Sequence, residues 1–277
     1  MSSDDGTPEA AAVVPSKNTG TTPEEVVEGT KKFMNIAKSF IFVEISSLVL
    51  MFSSIAAWQD KNSPFFSWVA YSLSVSVISL AACLFIQIGE FAKPGMLEKV
   101  EKPMSLFLFL WWGVGTGIIT FKAPFTITSN GWFSAWAGFI FTTHWALHID
   151  SAQFTQMEKG RQLLVLLFAC SAVLICACIG PIAQDGGYKG QAAWGISAGS
   201  ITLLMCVGLI KKYDDIAINI MKASCAFFFV VWAAVAGVCT FDGPFRFTGN
   251  GYFACWGGLV VSVLSGLHQM SREDEIV

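Results

Sequence analysis

The chain has 277 residues, of which 54% are hydrophobic and 13% charged, with a formal net charge of -3. That balance fits a membrane protein better than a water-soluble domain, and the 17 Lys and Arg are scattered rather than gathered into the basic stripe that neutralises a phosphate backbone, so nucleic acid is excluded as an expected partner. The eight cysteines (Cys83, Cys170, Cys176, Cys178, Cys206, Cys225, Cys239 and Cys255) all fall in apolar runs and read as small hydrophobes; Cys176 and Cys178 lie close together, but none has the paired spacing with histidine of a zinc site, and no disulfide framework or cofactor is expected.

Residues 1–33 are rich in Ser, Thr, Pro, Asp and Glu and poor in large apolar residues, which predicts a disordered cytosolic tail. No early basic segment precedes an apolar core, so neither a secretory signal nor a mitochondrial presequence is expected and the first span would direct targeting. Apolar runs then recur at roughly 37–58, 65–89, 104–121, 132–149, 162–183, 191–210, 216–241 and 252–269. Each is near the ~20 residues that cross a hydrocarbon core. A backbone in lipid must satisfy its own hydrogen bonds, so these runs are expected to be helices, and the short alternating segments of an outer-membrane barrel are absent. The predicted fold class is an all-α integral membrane protein with about eight transmembrane helices in two parallel-repeat four-helix units. The units are 34–150 and 151–270, followed by a short acidic cytosolic tail over 271–277.

Lysine and arginine are retained on the cytoplasmic side. Thirteen lie on the side of the N-terminus and every second loop, and only Lys61, Lys122, Lys189 and Arg246 on the other. Both termini are therefore expected in the cytoplasm, with the organelle unassigned.

The third-to-fourth connection contains a segment that occurs twice. Residues 120–138 read TFKAPFTITSNGWFSAWAG and residues 240–258 read TFDGPFRFTGNGYFACWGG, aligned without a gap at an offset of 120. Thr120, Phe121, Pro124, Phe125, Thr128, Asn130, Gly131, Phe133, Trp136 and Gly138 match Thr240, Phe241, Pro244, Phe245, Thr248, Asn250, Gly251, Phe253, Trp256 and Gly258. The register extends outward through Phe107, Phe109, Trp112 and Gly117 to Phe227, Phe229, Trp232 and Gly237, and through Leu147 and His148 to Leu267 and His268. Upstream it fades, although Gln59-Asp60 and Gln184-Asp185 both close a first span at a slightly different offset. A unit of four helices is even, so both copies would cross in the same direction, related by an axis along the membrane normal.

Pro124 lacks an amide hydrogen and disfavours helix at Ala123, so the third helix is expected to end near Phe121. Asn130 is placed to cap the fourth helix, with Gly131 easing the turn. Phe121, Phe125, Trp132, Phe133 and Trp136 read as an aromatic belt at headgroup depth, with a lipid-, sterol- or partner-binding surface as the functional alternative. Small residues at i, i+4 (Gly113 with Gly117, Ala233 with Gly237, Gly195 with Gly199) suggest close helix packing within or between chains. The expected partners are accordingly the lipid bilayer and other membrane proteins, or a second copy, through these faces.

Charges at membrane depth are functional candidates by default. Glu44 lies in the first span, and His144 about as deep in the fourth, so the two are expected to pair across helices; the alternative puts Glu44 in a small polar cavity near Ser46 and Ser47. Their second-copy counterparts, Ala169 and Leu264, are both apolar. His148 and His268 close equivalent helices and read as interfacial anchors. His144 and His148 stand four apart, but no third ligand accompanies them, and histidines on facing helices for haem are missing; no metal site is expected.

The chain has no HExxH, GxxxxGK[ST] or GxSxG motif and no paired intramembrane acids, so it is not expected to be an enzyme. Nearly charge-free spans and short loops favour a structural or membrane-organising scaffold. The alternative is a transporter or channel with Glu44 in the pathway and the Ser-rich second and sixth spans lining it. In topology alone, a four-helix unit with cytosolic termini resembles the tetraspan vesicle and junction proteins, the MARVEL-type group, here in tandem; likeness of architecture transfers no function.

Overall fold

The computed structural model describes the backbone of residues 23–58, 65–93, 95–147, 157–183 and 187–274. The chain divides into two units, Met1–Lys38 and Ser39–Val277. In the first, the described residues are the opening turns of helix α1 (Pro23–Ala57). Of the tail expected over 1–33, residues 1–22 lie outside the described residues and 23–33 are helical. Pro23 occupies the first helical position, where its missing N–H costs nothing, and Glu24 and Glu25 lie in the first turn, where the helix dipole favours negative charge.

The other helices are α2 (Phe66–Ala92), α3 (Met96–Phe121), α4 (Asn130–Ala146), α5 (Lys159–Ala183), α6 (Lys189–Lys211), α7 (Ile218–Gly237) and α8 (Asn250–Asp274). A π-turn, Val238–Asp242, extends α7. No strand occurs among the described residues. Among the described residues, seven of these eight helices are long and apolar enough to cross a membrane. The eighth, α4, has 17 residues and reaches about 26 Å at 1.5 Å per residue. Large apolar side chains such as Phe52, Phe85, Ile88, Val114 and Leu204 point outward, a surface that suits acyl chains and not water. The chain is an all-α, multi-pass membrane protein.

Two helices outrun their apolar stretches. α3 begins at Met96 rather than near 104, because the Glu90 carboxylate at the end of α2 accepts the amides of Gly95 (2.9 Å) and Leu97 (2.6 Å). Gly95 turns the chain with φ 86°. α8 runs on to Asp274, into the segment expected to be a free acidic tail.

Inside the bundle the packing explains the small residues. A Cβ on Gly138 would enter the ring of Trp112, and one on Gly258 the ring of Trp232; both indoles are fully buried. Each motif thus closes on a glycine that admits the tryptophan of the preceding helix. Gly199 brings α6 within van der Waals reach of the Ser171 carbonyl on α5, and Gly195 faces the Cys178 thiol. Gly113 faces the Phe139 ring of α4, whereas Gly117 and Gly237 have open space where a Cβ would stand and make no such contact.

α1 and α2 are joined by serines. Ser47 donates to Ser79 (3.1 Å), which also accepts Trp112 Nε1 from α3 (2.8 Å), and Ser54 bonds Ser72 at 2.8 Å. Gly138→Val is expected to lower stability in detergent by roughly 2–4 kcal/mol through overpacking against Trp112. Gly117→Ala, with free space and better helix propensity, should be neutral or slightly stabilising, within about 1 kcal/mol. Thermal unfolding followed by circular dichroism checks the pair.

Candidate functional site

Each motif folds the same way locally. α3 stops at Phe121, and Phe125 N donates back to Ile119 O (3.0 Å); in the second copy Phe245 N donates to Cys239 O (2.8 Å). The Ala123–Pro124 and Gly243–Pro244 bonds are both cis. The Phe125 ring covers Gly131 and the Phe245 ring covers Gly251, so close that either glycine carrying a Cβ would collide. Ser129, in extended conformation, caps α4 by accepting Trp132 N at 3.3 Å. This corrects the expected Asn130 cap: Asn130 is already the first helical residue, and the serine before it holds the cap position that its hydroxyl suits.

The asparagine side chain of the second copy is used differently. Asn250 Oδ1 accepts Trp132 Nε1 at 2.9 Å and Trp136 Nε1 at 3.0 Å, while its Nδ2 donates to Thr120 Oγ1 at 2.9 Å. Thr120 in turn donates to Thr116 O (2.8 Å), and Thr116 to Ala135 O (2.8 Å), tying α3 to α4. Beside this hub the two loops touch: Thr128 and Thr248 share a hydroxyl hydrogen bond of 2.6 Å, and Thr128 N donates to Thr248 O at 3.0 Å. The Trp132 and Phe253 rings lie 5.3 Å apart. One buried amide thus gathers three partners from the first half of the chain, in a setting where water is scarce and an unpaired polar group is expensive.

The first-copy hub is not assembled. Asn130 is exposed where Asn250 is buried. Trp256, the counterpart of Trp136, has its Nε1 buried with no hydrogen-bond partner. Trp132 is buried and bonded rather than seated in an interfacial belt, which corrects that reading for this residue; Trp136 is half-buried and bonded to the same amide, and Phe133 is 57% exposed. Phe121, Phe125, Pro124, Pro244 and Phe245 are half-buried in the loops, and Thr240 bonds Ala236 O at 2.6 Å. Below the hub a groove of about 490 Å³ opens between α4 and the α5–α8 pair, lined by Trp136, Ile140, Ala169, Val173 and Phe253, with Asn250 at its head.

The ionisable residues are not brought together. Glu44 is half-buried with its Oε1 occluded and without a hydrogen-bond partner, while the His144 side chain is exposed. Ser46 and Ser47 bond helix carbonyls at Phe42 and Val43. His148 lies outside the described residues. His268 is half-buried against Gly160 with Nε2 occluded and unpartnered, so that nitrogen does not reach outward as an anchor would. The described residues contain no group of three or more His, Cys, Asp or Glu able to hold a metal.

Sequence reasoning missed the polar cluster at the opposite end, where Arg161 grips Asp214 with two hydrogen bonds and Tyr213 links Glu158 (3.2 Å) and Gln269 (3.4 Å). It also missed the cross-half bonds of Asn250. A signal for these was present in the Trp132–Tyr252 difference, where an indole N–H of the first copy has no counterpart beside the duplicated asparagine.

Asn250→Ala should cost about 2–4 kcal/mol, because it strands two indole donors. Asn130→Ala should change the stability of detergent-isolated monomers by less than about 0.5 kcal/mol, as an exposed substitution does. Thermal melts with tryptophan emission as the probe separate the two, since Trp132 and Trp136 lose their acceptor only in the first variant.

No family model, no curated protein and no solved structure matches this chain.

Proposed function

We propose that this multi-pass chain is a membrane-organising scaffold of tetraspan-like architecture, built from a duplicated four-helix unit and performing no catalysis. The observation that carries the reading is the Asn250 clasp: the most strongly repeated segment of the sequence spends its polar atoms on joining the two halves of the chain. A scaffold needs such internal fastening, whereas a solute pathway needs polar atoms left free to meet cargo.

The serines point the same way. Ser72, Ser76 and Ser79 are fully buried on α2: Ser72 and Ser79 bond serines of α1 and so fasten helix to helix, while Ser76 donates to the Leu73 carbonyl of its own helix. The excess of Lys and Arg on one side, thirteen against four, supports a topology with both termini in the cytoplasm. The bilayer is then the first partner, met through the outward apolar side chains.

A single feature favours transport as the second reading. Glu44 holds a buried, unpartnered carboxylate oxygen inside a spanning helix, the kind of group that marks ion pathways. Purified protein in liposomes, assayed for flux of protons, common ions and small polar solutes across a pH range, decides between them. The expected result is flux no higher than in empty liposomes. Flux abolished by Glu44→Gln would replace the scaffold by a transporter with Glu44 in its path.

A further inference from the structure

The fastening between the two halves has a direction. Trp132, Trp136 and Thr120 of the first copy of the motif all bond Asn250 of the second, and the Thr128 amide donates to the Thr248 carbonyl. If the halves met through an isologous twofold, the reciprocal bonds would form as well: Trp256 would reach Asn130. Instead Asn130 is exposed, and Trp256 Nε1 is a buried donor with no acceptor. The halves therefore meet head to tail, using one surface of the first and the other surface of the second. A heterologous contact of this kind leaves one of each surface unused, and unused complementary ends are what generate rings when a further copy is added.

We propose that a second copy of this chain completes the clasp, with the Asn130 face of one copy docked on the Trp256 face of the next. The two unused faces correspond, position by position, to the two faces already in contact. On the α8 side, Trp256 and Val260 stand where Trp136 and Ile140 line the groove between the halves. Val260 is 54% exposed. On the other side, Asn130 stands where Asn250 does, and Ile45 and Leu48 on α1, both exposed, take the places of Cys170 and Val173 on α5 by the register that pairs Gln59-Asp60 with Gln184-Asp185. Asn130 offers the same acceptor as Asn250, and Trp256 the same donor as Trp136.

Docking requires the atoms that occlude Trp256 Nε1 to move aside, and it relieves a donor that lipid cannot satisfy. Acyl chains can cover the apolar parts of both faces, but they carry no acceptor for an indole N–H, so a second copy fits the pair of polar groups better than lipid does. The inference goes beyond the scaffold reading and holds whether or not a solute crosses.

A photo-crosslinking amino acid with a benzophenone side chain, placed at position 130 of the full chain, tests it in native membranes. Irradiation is expected to give a covalent species containing two copies, with mass spectrometry of mixed isotopically light and heavy chains mapping the adduct to residues 252–260 of the other copy. Particles of wild-type protein in nanodiscs should contain two or more chains. Asn130→Ala and Trp256→Phe should each weaken association at least roughly tenfold, while the thermal melt of Asn130→Ala monomers stays unchanged. Single-copy particles overturn the proposal, as do adducts confined to lipid or to a foreign protein, and as does association that neither variant weakens.

Discussion

A polar atom buried in a bilayer has no water to fall back on, and this constraint organises everything the chain does with its hydroxyls, amides and indoles. Serines and threonines on the spans return their protons to carbonyls one turn back, as Ser54, Thr142, Ser171 and Thr240 do. That local solution is self-contained. The long-range solutions are fewer, and they set the architecture: Ser47 with Ser79 and Trp112 ties α1, α2 and α3, and Asn250 with Thr120, Trp132 and Trp136 ties the two halves. Hydrophobic burial cannot choose among helix arrangements when the solvent is itself hydrocarbon, so packing shape and hydrogen bonds carry the specificity.

The glycines belong to the same logic. Gly138 and Gly258 exist to admit Trp112 and Trp232, and both indoles end fully buried. Only one of them finds an acceptor. Trp112 donates to Ser79, whereas Trp232 Nε1 is buried without a partner. The two tryptophan–glycine contacts thus keep the same steric plan while differing in their polar connections.

Much of this was open to reading in the sequence, and for identifiable reasons. Apolar length locates spans because helix rise and bilayer thickness are both fixed, and seven of the eight expected runs are helices long enough to cross. Pro124 marked the end of α3 correctly, since a missing amide acts locally. The ends of α1, α3 and α8 were misplaced because hydropathy senses the hydrocarbon boundary and a helix need not stop there. The pairing of Glu44 with His144 rested on equal depth, but depth says nothing about which side of a helix a residue faces, and His144 is exposed. Asn130 was read as a helix cap because a local rule was applied to a residue whose difference from Asn250 is tertiary.

That difference carries the deepest point about duplicated chains. Identical residues at equivalent positions have identical local preferences, so any divergence in their environment must come from how the copies meet. Asn130 and Asn250 both open a helix, and both follow a proline-containing loop with a phenylalanine seated on the next glycine. One is exposed and the other is a buried hub with three partners. An isologous contact would have given both the same surroundings. Inside one chain the contact is therefore directional, and retention of the full motif at the unbonded Asn130 leaves an acceptor facing outward with the geometry of one that is already in use.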